Sequence, residues 1–244
     1  MSDPGQDDDE VLELPNDTLV ALQDFYSERD SREKRFTKLK AEMEQKGSQA
    51  QLSMDMFSED WNVSQFWYSD ETATTLAEQL LEGSSASTNI CLVSAPSVFV
   101  QLKNLLASGK YEVCNIRLLE YDKRFDVFDE FVYYNFEHPL ELPSGMKGKY
   151  DTILCDPPFL SSDCQTKAAL TTRWLSKLTS TDPTRPCPRL IVCTGERMEA
   201  LVHKLHPGIR TTTFDPQHAQ NRLGNDFRCY ANFECANWLW RKSD

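Results

Sequence analysis

From residue 89 onward, short apolar runs alternate with stretches whose apolar residues recur every three or four positions. The runs are NICLVSA from residue 89, CNIRLLEYD from 114, EFVYYNF from 130, DTILC from 151 and RLIVCTG from 189. VFVQLKNLLASG, KAALTTRWLSKL and RMEALVHKLH have helical spacing. Runs buried on both faces and separated by helical patterns predict a parallel sheet covered by helices. The end of the chain breaks this rhythm. IRTTTF and FRCYANFEC are joined by the polar loop DPQHAQNRLGND with no helix between them, which predicts a hairpin closing the sheet. The expectation is an α/β fold of six or seven strands, mostly parallel, with an antiparallel end.

The first 60 residues follow other patterns. Residues 1–14 are acidic and poor in large apolar groups, as a solvated, disordered tail would be. Residues 15–60 read as an N-terminal helix and a connector. Asn16 or Asp17 is a candidate cap, Leu19, Leu22 and Phe25 or Tyr26 have helical spacing, and Gly47 marks a stop. The mixed Glu and Lys of its second half describe a solvated face. The connector GSQAQLSMDMFSED reads as polar. The main domain then runs from 61 to 244. It opens on Trp61, Phe66, Trp67 and Tyr68, followed by a helix capped by Ser69 or Asp70, with Leu76, Leu80 and Leu81 inward and Gly83 at its end.

Composition narrows the class. A chain of 244 residues with 40% hydrophobic content can bury a sizeable core. No segment approaches the roughly 18 apolar residues needed to span a bilayer, and the N-terminus has no basic or apolar targeting region. Eight scattered cysteines without a C-x-x-C pair read as reduced core residues of a cytosolic or nuclear protein, not as zinc ligands. These features predict a soluble protein of the cytoplasm with no membrane contact and no metal. A formal charge of −12 repels phosphate backbones and favours basic partners, so nucleic acid is disfavoured.

In sheets of this kind ligands bind beyond the carboxyl ends of the strands. The first strand leads into Ala95, Pro96 and Ser97, small residues that fit either a cofactor turn or an ordinary turn with Ser97 as helix cap. After the second strand, Glu120 and Asp122 stand near the offset of a ribose-binding carboxylate, with Glu120 favoured because it ends the apolar run. After the third, Asn135 suits an adenine edge and Phe136 the ring face, or the pair is tucked under the core. After the fourth come Asp156, Pro157, Pro158 and Phe159. Two prolines cannot continue a ladder and hold the chain rigid, so Asp156 can accept from an amine while Phe159 supplies a wall. Phe66, Trp67 and Tyr68 either wall the same site or anchor the N-terminal helices, and the loop DPQHAQNRLGND is a candidate for the opposite lip.

With those residues in hand, the chain resembles the class I methyltransferases that use S-adenosylmethionine, over about residues 60 to 240. DPPF is similar to their amino-methylating signature. QFWYS, LLEYDKRF and CDPPFL together resemble the elongation factor 1-alpha lysine methyltransferase family, whose members were once classed with the adenine-specific DNA methyltransferases. The resemblance implies a Rossmann-like, seven-stranded sheet with its last strand antiparallel. It also implies S-adenosylmethionine near Ala95 to Ser97, Glu120 or Asp122, and Asn135 and Phe136, with Asp156 to Phe159 holding the acceptor amine. The implied activity is protein-lysine N-methylation of translation elongation factor 1-alpha by a monomer. Adenine-N6 methylation and a non-catalytic scaffold are the other readings. The first loop, SAPS, departs from the glycine-rich family pattern.

Overall fold

The strands β1 (Asn89–Val93), β2 (Asn115–Glu120), β3 (Phe131–Tyr133), β4 (Thr152–Cys155), β5 (Arg189–Gly195), β6 (Arg210–Thr211) and β7 (Phe227–Ala231) form one sheet in the order β3-β2-β1-β4-β5-β7-β6. This computed structural model describes residues 66–177, 187–219 and 226–242 continuously, together with 52–54, 57 and scattered positions between 18 and 37. β7 alone among these strands runs against its neighbours, pairing antiparallel with both β5 and β6. The sheet reverses its order between β1 and β4, both of whose carboxyl ends open onto the same edge.

Burial explains the pattern of the central strands. β4 is buried along its whole length, and β1 at all but its first residue. Successive strand residues point to opposite faces, so each central strand feeds two core layers. Ile90, Leu92, Leu118, Leu154 and Ile191 join one layer, while Cys91, Val93, Leu119, Ile153 and Val192 join the other. The first layer is covered by α1 (Asp70–Leu81) and α2 (Pro96–Ala107), and the second by α3 (Ser162–Leu175) and α4 (Glu199–Leu205).

Local chemistry fixes the helix starts. Ser69 caps α1 by accepting from the Thr72 N–H at 3.2 Å, and Ser161 caps α3 by accepting from the Cys164 N–H at 3.2 Å. Helix α3 therefore begins five residues before the Lys167 expected from periodicity, directly after the proline segment. At α2 the N-cap is Ala95, with Pro96 in the first turn and no side-chain cap. This corrects the reading of Ser97 as a cap: Ser97 is buried inside the first turn, and its hydroxyl accepts from the Tyr68 N–H at 3.4 Å.

The connector is also corrected. Leu52, Met54 and Phe57 are buried, and Asn104 of α2 bonds both the N–H and the carbonyl of Leu52, at 2.8 and 2.9 Å. The Phe57 ring stacks on Phe125 with centroids 4.4 Å apart. Leu52, Met54 and Phe57 thus dock on the domain, which a wholly polar linker would not do. Leu19 and Tyr26 are helical but about half exposed, while Asn16, Asp17, Leu22, Phe25, Gly47 and the tail 1–14 lie outside the described residues.

The carboxyl-terminal segment protects the sheet's β6 edge. Thr213 donates to the Leu239 carbonyl and Arg241 to the Thr211 carbonyl, each at 2.8 Å, so residues 239–241 occupy bonds that an open edge would expose. The six cysteines Cys91, Cys114, Cys155, Cys164, Cys193 and Cys229 are buried. No helix among the described residues is long and apolar enough to cross a membrane.

Phe57→Ala tests the docked connector. Removing a buried, stacked ring should cost about 3–5 kcal/mol of unfolding free energy, measured by denaturant titration. A change within about 0.5 kcal/mol, the range of ordinary surface substitutions, would return this segment to the status of a linker.

Candidate active site

The parallel register lines up the candidate residues. Val93 of β1 pairs with Leu119 of β2 and with Cys155 of β4, so the next residues, Ser94, Glu120 and Asp156, stand level at one edge. With adjacent strands about 4.8 Å apart, the Glu120 and Asp156 backbones are roughly 10 Å apart across β1. Their side chains are close enough for the Glu120 charge to raise the Asp156 pKa.

Asp156 is half-buried, and its N–H donates to the Val93 carbonyl at 2.9 Å, which fixes its direction at the end of β4. Removal from water lifts its carboxyl to about 8, an effect opposed by the Tyr68 hydroxyl and reinforced by Glu120. Glu120 is buried and reaches about 7, with loss of water as the largest cause. Its Oε1 accepts from the N–H groups of Tyr121 and Asp122 at 2.9 and 3.0 Å, while Oε2 accepts from none of the described residues. A cation bound near either carboxyl would favour its ionised form.

Asp122 has other work. Its carboxylate caps the 3-10 turn Lys123–Val127 by accepting from the Arg124 N–H at 2.9 Å, and it also accepts from Arg124 Nε at 2.8 Å. Of the two expected carboxylates, Glu120 is the one left with an open oxygen.

The first loop turns without glycine. Among the described residues Ser94 is the non-glycine with a positive φ, 55°, a conformation that costs an L-residue roughly 1–2 kcal/mol. Its N–H donates to the Leu119 carbonyl at 2.8 Å, which helps to hold it. Ala95 and Pro96 are buried beside it, at the start of α2.

The aromatic segment divides. Trp67 is buried in the core, donates Nε1–H to the Phe57 carbonyl at 2.8 Å and meets Phe125 edge-on at 6.3 Å. It anchors the segment and does not wall the site, contrary to one of the two expectations. Tyr68 points the other way, toward Asp156, and is also buried. Its hydroxyl makes no hydrogen bond of good geometry. Phe66 is half-buried.

The predicted opposite lip meets this segment directly. Tyr68 forms an antiparallel bridge with His218, Ser69 donates to the Gln217 carbonyl at 2.9 Å, and Ala219 donates to the Trp67 carbonyl at 2.8 Å. The His218 ring lies 4.9 Å from Tyr68 and 4.6 Å from Phe227, and burial lowers its pKa to about 4. Residues 220–225 of that loop lie outside the described residues.

Phe159, 37% exposed, and half-buried Phe136 pair at 5.4 Å between centroids, joining the ends of β3 and β4. Asn135 turns its side-chain oxygen to the Glu137 N–H at 3.0 Å, shaping the loop beneath Phe136. Pro157 is buried and Pro158 half-buried.

Two residues here escaped the sequence reading. Buried Gln165, in the first turn of α3, donates to the Phe159 carbonyl at 3.2 Å and to the Thr194 hydroxyl of β5 at 2.9 Å. The only signal in the sequence was a polar residue shortly after DPPF.

The family model described as "Probable N6-adenine methyltransferase" matches residues 59–235. The chain is 42% identical over 246 residues to Protein-lysine N-methyltransferase EFM5 of Saccharomyces cerevisiae, covering 98% of each. With EEF1A lysine methyltransferase 1 of Gallus gallus it shares 38% over 231 residues, covering 93% of this chain and 96% of that protein. The human protein of that name is 35% identical over 230 residues, with 93% and 95% covered. A match that spans most of the chain and includes every element of the site makes this protein a member of that methyltransferase family.

Proposed function

We propose that this chain transfers a methyl group from S-adenosylmethionine to the ε-amine of a lysine in translation elongation factor 1-alpha. The observation that carries the reading is the paired, water-poor Glu120 and Asp156 carboxyls at the edge where DPPF ends β4. The names of the relatives support the chemistry and the substrate. The charge of −12 favours a basic protein over nucleic acid, which disfavours adenine methylation. Residues 61–244 are taken as the methyltransferase domain, consistent with the family match. The reading puts the protein in the cytoplasm with its substrate, acting as a monomer.

The residues present fit the cofactor. Glu120, a mostly buried residue, keeps one carboxylate oxygen open to a ribose diol, and the turn at Ala95 to Ser97 presents the start of α2. Asn135 and Phe136 would flank the adenine. S-adenosylmethionine supplies an electrophilic methyl group on a positively charged sulfur.

The acceptor amine must be neutral, because an ammonium has no lone pair. In water a carboxylate is about six to seven pK units too weak a base to take its proton. At a pKa of about 8, Asp156 narrows that gap to roughly two to three units. Asp156 and the rigid carbonyls of the proline segment then orient the nitrogen, while Tyr68 and Phe159 keep water from it.

Incubation with labelled cofactor, purified elongation factor, and bulk DNA and RNA tests the reading. Label should enter lysine of the elongation factor; label in nucleic acid alone would overturn it. Asp156→Ala should lower transfer at least about 100-fold, the scale of losing one preorganised polar contact, while circular dichroism stays unchanged. Undiminished transfer would mean that DPPF does not hold the acceptor.

Stability should carry the same signature. Asp156 moves from an ordinary 3.8 to about 8 on folding, so the folded state holds the extra proton between those values. Unfolding free energy is greatest at the acid end of that window and falls as pH rises toward about 8, with Glu120 adding to the slope up to about 7. Asp156→Asn should flatten the fall in Tm between pH 6 and 9. Parallel profiles for the two proteins would contradict the assignment.

A further inference from the structure

The acceptor segment is held from outside by contacts that converge on two consecutive residues. The Phe159 carbonyl accepts one N–H of the Gln165 amide at 3.2 Å, and the other N–H goes to the Thr194 hydroxyl at 2.9 Å. Both donors of one buried amide are therefore spent on tying the end of DPPF to the end of β5. Gln165 is 2% exposed and Thr194 is fully buried, so neither bond competes with water. The next residue is seated by shape. A Cβ built on Gly195 would stand 2.9 and 3.1 Å from the Leu160 methyl carbons, so any larger residue there would make the Leu160 side chain shift. Arg197 adds an exposed bond to the Leu160 carbonyl at 3.2 Å.

We infer that Gln165, braced by Thr194, is a positioning residue that sets where the Phe159 wall stands relative to Asp156. The inference rests on the methyltransferase reading above. Asp156 is fixed from inside by its N–H bond to Val93, but between it and Phe159 lie two prolines that donate no hydrogen bonds. The far end of the rigid segment thus depends on its outer attachment. A transferred methyl group needs nucleophile, carbon and sulfur in line, and a displacement of about 1 Å in the acceptor can cost on the order of 100-fold in rate. The residues proposed for the cofactor follow β1, β2 and β3, and of these Phe136 alone meets the clamped segment, through the Phe159 ring, so loss of the clamp should slow transfer far more than it weakens cofactor binding.

The test compares Gln165→Met, Thr194→Val and Thr194→Ser with the wild type, measuring kcat on the elongation factor, cofactor Kd by calorimetry, and Tm. Activity of the wild type in the same assay separates this inference from the functional reading: a silent wild type sinks the latter. Gln165→Met and Thr194→Val should each lower kcat about 10- to 100-fold with cofactor Kd within about twofold. Thr194→Ser, which keeps the hydroxyl, should recover most of the rate. If Gln165→Met does not fold, the Thr194 pair decides. Full activity in Thr194→Val, equal losses in the Val and Ser variants, or a Kd that weakens in step with kcat would overturn the positioning role.

Discussion

The arrangement depends on two carboxyl groups kept short of water at one edge of a buried sheet. Glu120 and Asp156 end strands that are separated only by β1, and each stays protonated to a pH well above its ordinary value. Exposed to water they would be unremarkable surface acids. Burial makes their charge expensive, and the Glu120 charge adds to that expense for Asp156, so an incoming cation gains more here than at a solvated carboxylate. An ammonium and a sulfonium are both such cations.

The scaffold serves this constraint from several directions. Fully buried β4 and nearly buried β1 fix the height of Asp156 through the bond to Val93. Tyr68 closes the site from the first core layer, held by Ser97 on one side and bridged to His218 on the other. Gln165 and Thr194 tie the outer end of DPPF to β5. The site is thus gripped by the starts of α1, α2 and α3 and by the loop before β7.

Much of this was legible because burial writes itself into strands. DTILC has no polar alternation, and a strand buried on both faces followed by two prolines has few meanings. The closing hairpin was equally readable from the missing helix between IRTTTF and FRCYANFEC. Glu120 could be preferred to Asp122 because it ends the apolar run, and the structure shows Asp122 occupied by Arg124. Other features depended on direction or on distant partners. Trp67 and Tyr68 look equivalent as neighbours, and both are buried, yet in an extended segment neighbours face opposite ways, so one meets Phe57 and Phe125 and the other faces Asp156. Leu52, Met54 and Phe57 follow no regular period, and only the folded surface formed by α2 and the turn at Phe125 gives them a place. Thr194 lies 29 residues from Gln165, and their contact exists because β5 runs beside β4.

The most direct measurement of this account is the titration of the Asp156 carboxyl by carbon-detected NMR in the cofactor-free protein and in Glu120→Gln. The account predicts a midpoint near 8 in the wild type and a lower one once the Glu120 charge is removed. A midpoint near the ordinary 3.8, or one indifferent to Glu120→Gln, would contradict it.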